Sequence, residues 1–121
     1  MKMKRVLSTI LLCTLTLIFI GCDGNYKKIK VNGLVSDQAT GYPIHNAIVT
    51  VTCWAYDTRI WESKSLERST TTDENGRFSI DFEKGEALDF VVKSENYNEY
   101  RESITLKKSI NTFDIKLIKI D

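Results

Sequence analysis

The sequence predicts an all-β fold: an antiparallel seven-stranded β-sandwich after an N-terminal signal peptide. Three observations carry this expectation. Short segments of alternating apolar and polar residues recur from Lys27 to Ile120, at a spacing of roughly ten residues. No helical periodicity of any length follows Gly21. The long apolar run of the chain, Val6 to Ile20, lies near its start. A twisted sheet with one apolar face needs a second layer to bury it, so strands of this kind form a sandwich.

The N-terminus sets the expected compartment. Lys2, Lys4 and Arg5 precede the fifteen-residue apolar run, broken by Ser8, Thr9, Thr14 and Thr16. A membrane span takes about 20 residues, and this shorter layout is that of a secretory signal peptide. The run closes on Phe19-Ile20-Gly21-Cys22. This resembles the lipobox of bacterial lipoproteins, with Phe19 where leucine is usual. The resemblance implies cleavage before Cys22, acylation of its sulfur by chains such as palmitate, and a new N-terminus there. One acyl chain gives marginal membrane binding, whereas a second makes it stable. The expected organisation is a signal peptide over 1–21, a lipidated terminus and tether over 22–28, and one domain over 29–121. Asp23 resembles an inner-membrane retention signal of some bacteria. That sorting code is not universal, and the expected location is the cell envelope, with the outer membrane preferred to the inner.

Removal of residues 1–21 takes away Lys2, Lys4 and Arg5 and no acid, leaving 100 residues with 14 basic and 16 acidic side chains. This balance, with no basic stripe beyond Lys27, Lys28 and Lys30, gives no support for nucleic-acid binding. A chain of this size can bury a sufficient core without staples. Of the three cysteines, Cys13 leaves with the signal peptide and Cys22 takes lipid, so Cys53 is left without a disulfide partner in the mature chain. It falls at an apolar strand position, where free cysteine acts as a small hydrophobe.

After the tether, Lys27 to Ser36 alternates with Ile29, Val31, Gly33 and Val35 on one side. A glycine inside this strand signals a bulge or a close backbone approach. Asp37 to Pro43 is a turn cluster containing the single proline. In the next strand Ala47, Val49, Val51, Cys53 and Ala55 face one way, and Ile48, Thr50, Thr52, Trp54 and Tyr56 the other. From Asp57 to Ser69 the chain is polar apart from Ile60, Trp61 and Leu66, and reads as an outward excursion. Thr70 to Thr72 then enters a β-hairpin whose turn is Asp73-Glu74-Asn75-Gly76 and whose second strand buries Phe78, Ile80 and Phe82. Ala87 to Lys93, Arg101 to Leu106 and Thr112 to Ile120 supply the remaining strands, with Tyr97 and Tyr100 expected at a corner that closes the sandwich.

Two blocks carry a family likeness. The first is Val31-Asn32-Gly33-Leu34-Val35-Ser36-Asp37 followed by Thr40-Gly41-Tyr42-Pro43-Ile44-His45-Asn46-Ala47-Ile48-Val49-Thr50-Val51. The second is Thr72-Asp73-Glu74-Asn75-Gly76-Arg77-Phe78-Ser79-Ile80, and Asp114-Ile115-Lys116-Leu117 closes the pattern. The chain resembles the carboxypeptidase regulatory-like domain, a transthyretin-like, Ig-like β-sandwich common in exported bacterial proteins. Asn96-Tyr97 stands where relatives often have Gly-Tyr, and Asn also accepts a left-handed backbone. The core pattern does not account for Asp57 to Ser69. The resemblance implies an accessory or binding domain, because its matching residues are turn and core positions.

Chemistry is sparse. Asp73, Asn75 and Gly76 superficially match a calcium loop, but Thr71 and Phe82 stand where further ligands are needed. One histidine, His45, and no cysteine pair leave no usual zinc set. No nucleophile-elbow motif accompanies His45, and no pattern pairs the carboxylates for acid–base work. No catalytic residue, metal or cofactor is expected, and the protein is expected not to be an enzyme. The candidate binding residues are aromatic: Trp54 and Tyr56 on the less apolar face of the second strand, and Trp61 in the excursion, three rings expected to converge near one end of the sandwich. Such rings stack on sugars or anchor protein partners. The leading expectation is a membrane-anchored lipoprotein displaying a binding or scaffolding module for a protein or glycan partner. An accessory glycan- or solute-binding role in nutrient capture is the alternative. A small transthyretin-related hydrolase comes third, since such enzymes use several histidines and a C-terminal tail that this chain lacks.

Overall fold

The computed structural model describes residues 24–121; the expected signal peptide and Cys22 lie outside the described residues. Seven strands form: β1 (Tyr26–Asp37), β2 (Ile48–Asp57), β3 (Glu62–Thr71), β4 (Arg77–Gly85), β5 (Ala87–Lys93), β6 (Tyr100–Thr105) and β7 (Ile110–Leu117). They build a three-stranded sheet ordered β4-β1-β7 and a four-stranded sheet ordered β3-β2-β5-β6. The all-β sandwich is therefore the observed architecture. Its pairings are antiparallel except one: β7 returns to run parallel to β1, from Lys30 opposite Ile110 to Asp37 opposite Leu117.

The inward positions are those the alternation marks. Ile29, Val31 and Val35 of β1 meet Val49, Val51 and Cys53 of β2, with Phe78, Ile80 and Phe82 of β4 and Leu88, Phe90 and Val92 of β5, all buried. The Phe90 and Phe113 rings bridge the layers with centroids 4.7 Å apart. Gly33 lies opposite Phe78, and a Cβ there would come within 2.2 Å of that ring. The glycine thus makes the close approach, with the Phe78 ring filling the space that a side chain would take.

Two expectations are corrected. Asp57 to Ser69 is not an outward excursion: all but its first residues belong to β3, which pairs with β2 from Asp57 opposite Glu62 to Ile48 opposite Thr71. Nor is Thr72 to Phe82 part of a hairpin with the preceding threonines. The turn itself forms, because Asp73 Oδ1 accepts from the Asn75 and Arg77 N–H groups, both at 2.9 Å, and Gly76 takes φ 74°. Yet β3 pairs back onto β2 while β4 pairs with β1, so the turn carries the chain from one sheet to the other. Thr72 fixes that crossing. Its buried hydroxyl donates to the Ile44 carbonyl at 2.6 Å and accepts from Ala47 N–H at 2.9 Å.

The register places the chain's landmarks at opposite ends. At one end lie the start of β1, the β2–β3 turn, the β4–β5 joint and the β6–β7 loop, since Tyr26 faces Gly85 and Lys30 faces Ile110. At the far end lie residues 38–47, 72–76 and 94–99. There Asp37 accepts from Ala39 and Thr40 N–H groups and, at 2.7 Å, from the Tyr97 hydroxyl. The expected tyrosine corner is this bond together with the packing of Tyr97 and Tyr100 against the core.

Candidate functional site

The β2–β3 hairpin carries all three aromatic candidates and separates them. Alternation along β2 sends Val49, Val51 and Cys53 inward and Trp54 and Tyr56 toward the other face, where β3 contributes Ser65 and Ser63 as their cross-strand partners. Trp54 is 37% exposed, and its indole N–H donates to Asp89 Oδ2 at 2.7 Å. Ser103 and Trp54 together hold the Asp89 carboxyl below its ordinary pKa. Tyr56 is half-buried, and its backbone is clamped by Asn25, which donates to its carbonyl at 2.8 Å and accepts from its N–H at 3.1 Å. Trp61 stands apart at the tip, 77% exposed, in the left-handed region at φ 55°.

The tip is folded by Asp57. Its Oδ1 accepts from Arg59 N–H at 3.0 Å, its Oδ2 pairs with Arg59 at 3.1 Å and with Lys64 at 3.7 Å, and Ile60 N–H donates to its carbonyl. The hydrogen bonds from Arg59, followed by its charge and that of Lys64, pull the Asp57 carboxyl down to about 2.

Sequence reasoning missed the inner side of β3. The four-stranded sheet has one strand more than its partner, and β3 forms its edge with one side unpaired. The β3 residues opposite Ala55, Cys53 and Val51 are Lys64, Leu66 and Arg68, which therefore point toward the opposing layer. Leu66 is 51% exposed there, above a groove of about 400 Å³ floored by Cys53, Ala55 and Phe82. Arg68 lies 5.7 Å above the Phe82 ring and leads into a second hollow of about 320 Å³ along β4. The signal available in the sequence was Leu66 among polar residues, on the parity that strand pairing would turn inward.

The groups most capable of chemistry are engaged or isolated. Cys53 is buried, its Sγ faces the Lys84 carbonyl at 3.4 Å, and desolvation pushes its thiol up to about 11. The Asp73 carboxylate caps its own turn. His45 is exposed in the far-end connection. Among the described residues, no three His, Cys, Asp or Glu side chains gather as a metal set, and no helix is long and apolar enough to cross a membrane.

Residues 30–117 match the sequence model of the carboxypeptidase regulatory-like domain. Solved structures of similar fold include 3-chlorocatechol 1,2-dioxygenase from Rhodococcus opacus 1CP, with a TM-score of 0.62 at 14% identity over 82% of this chain and 62% of that one. Catechol 1,2-dioxygenase from Acinetobacter radioresistens gives 0.61 at 13% identity over 78% and 53%. The C-terminal domain of a shaft pilin from Lactobacillus rhamnosus GG gives 0.56 at 10% identity over 78% and 99%. This chain spans 62% and 53% of the two dioxygenases' lengths, and at such identities the likeness is one of fold. No curated protein matches the chain by sequence.

Proposed function

The chain belongs to the carboxypeptidase regulatory-like domain family, and on that premise we propose that it is a lipid-anchored, non-catalytic module that captures a partner at the cell envelope, in the outer membrane rather than the inner. Cys22 is the anchor in this reading, and the β2–β3 side is the capturing surface. The observation that carries it is the state of β3: a ten-residue edge strand, paired on one side, with the Leu66 groove beneath it and Trp54 and Tyr56 beside it. An unpaired edge offers backbone donors and acceptors to an incoming extended segment, and the groove gives alternate side chains a place to pack. The inward charges of Lys64 and Arg68 also guard such an edge against indiscriminate pairing.

The test is capture from membranes by the native lipid form, compared with Leu66→Glu, which places a carboxylate over the groove. Loss of the captured partner with an unchanged melting temperature supports the reading. Equal capture by both proteins removes the groove from it. A second reading, glycan binding, is favoured by the outward Trp54 and Tyr56 beside the hydroxyls of Ser63 and Ser65. Under that reading Trp54→Ala abolishes binding on a glycan array while Leu66→Glu leaves it intact.

A further inference from the structure

Trp61 occupies a position that folding does not favour for it. A left-handed backbone costs an L-residue about 1–2 kcal/mol, which is why Gly or Asn usually fills such sites. Its ring is 77% exposed, and the neighbouring Ile60 is 45% exposed. Two large apolar side chains are thus held out beyond the end of the sheet. Their surroundings indicate what meets them.

The tip lies at the end where the chain enters the fold. Asn25 is bonded to the Tyr56 backbone at 2.8 and 3.1 Å, so the tip, which follows Asp57, projects past the level of Asn25. Cys22 is three residue steps from Asn25, with Asp23 and Gly24 between. Fully extended they reach about 10 Å. A lipid on Cys22 therefore holds this end of the sandwich against the bilayer. The charges agree. The loops of this end and the strand residues that border them carry Lys27, Lys28, Arg59, Lys84, Lys107 and Lys108 against Glu62, Glu83 and Glu86, with Arg59 paired to Asp57. The loops, bordering strand residues and terminus of the far end carry Asp73, Glu74, Glu95, Glu99 and Asp121 against Arg77, Lys93 and Lys119, with Glu99 paired to Lys93 and Arg101. A basic end facing an anionic surface is attracted to it, and an acidic end is turned away. Tryptophan settles at the headgroup level of a bilayer, where an amphipathic ring is at home.

We propose that the β2–β3 tip, Ile60 and Trp61 at the lysine-rich end of the sandwich, is a second membrane contact that docks on anionic lipid and holds the sandwich upright on its anchor. The β3 edge then runs away from the bilayer and stays open along its side. This inference rests on the lipid-anchor reading, and the experiment separates the two.

Trp54→Phe leaves Trp61 as the sole indole of the protein. This variant, with its native lipid, is reconstituted into vesicles of phosphatidylcholine with and without phosphatidylglycerol. Flotation reports the anchor, and Trp61 fluorescence reports the tip. The expected result is flotation in both vesicles, with Trp61 emission shifted to shorter wavelength and quenched by lipids brominated on the upper acyl chain, more strongly with phosphatidylglycerol. In a parallel protein carrying Trp61→Gly, flotation persists, while Lys107 and Lys108 react faster with an amine reagent than in the wild type. Flotation with Trp61 still water-like overturns the docking alone. Trp61 shielded from iodide yet untouched by brominated lipid overturns it in favour of a protein or glycan contact. Failure to float overturns the anchor and the docking together.

Discussion

The two ends of this sandwich are held in different ways. At the far end, side chains are spent on the backbone: Thr72 ties Ile44 to Ala47, Asp37 gathers Ala39, Thr40 and Tyr97, and Asp73 closes its own turn. At the N-terminal end of the fold Asn25 likewise clamps the Tyr56 backbone, but beyond it the β2–β3 tip rests on Asp57 alone among these ties, and its largest side chains touch solvent. The family's sequence blocks lie mostly at and next to the far end. The difference teaches that the recognisable residues of this chain explain how it folds, while the side chains without a folding role stand where the family pattern falls silent.

The sharpest way to break that comparison is at Gly76. A Cβ there would lie 2.5 Å from the Val35 carbonyl oxygen and 2.9 Å from Pro43 Cβ, on a backbone at φ 74°. Strain of about 1–3 kcal/mol from the dihedral joins a comparable overpacking cost. Gly76→Val is therefore expected to lose about 3–5 kcal/mol in denaturant unfolding. Glu74→Ala, exposed in the same turn, is expected to stay within about 0.5 kcal/mol of the wild type. Equal midpoints for the two variants would mean that the far end is not the rigid one.

An intermediate effect comes from acid. Asp57 is pulled down to about 2, chiefly by hydrogen bonds from Arg59, against an ordinary value of 3.8. A depressed carboxyl contributes stability that is complete above its unfolded value and is lost as pH falls through the folded one. The advantage of the wild type over Asp57→Asn is thus expected to be constant above about pH 4 and to disappear toward pH 2. Asp37, lowered first by the Tyr97 hydroxyl and then by backbone N–H groups, acts with the same sign at the far end. Hydrogen exchange along the acid limb tells the ends apart. Asp57→Asn should raise exchange in residues 58–64 and leave residues 38–47 unchanged; a uniform rise would erase the distinction between them.

The same comparison explains what was legible in the sequence. Turn chemistry is local, so Asp73, Asn75 and Gly76 announced their turn correctly. The sheet each flanking strand joins depends on partners far along the chain, and local pattern alone reads β3 as a hairpin arm and an excursion. Its hydropathy could not correct that, because an edge strand beside a narrower layer turns Lys64 and Arg68 inward, where alternation leads one to expect apolar residues. The parallel β1–β7 pair and the groove over Phe82 follow from strand order and unequal sheet widths, which no local pattern records. Trp54, Tyr56 and Trp61 were visible as residue types. Their separation into a sheet face and a tip depends on where the β2–β3 turn falls.

The smallest expected effect is at the tip itself, and its sign is the informative part. If Trp61 were core, truncation would cost about 3–5 kcal/mol. It is 77% exposed in a left-handed conformation, so Trp61→Gly removes backbone strain and buries or unburies little. Glycine's greater freedom in the unfolded chain offsets part of the gain. The net expectation lies between neutral and about 1 kcal/mol of added stability, read as an equal or higher melting temperature. A lower melting temperature would show that the ring is held by the fold, and Trp61 would then join the structural residues of the far end. An equal or higher one leaves the tryptophan without a folding reason at a site that glycine would fill as well, so the reason for it has to be sought in what the tip touches.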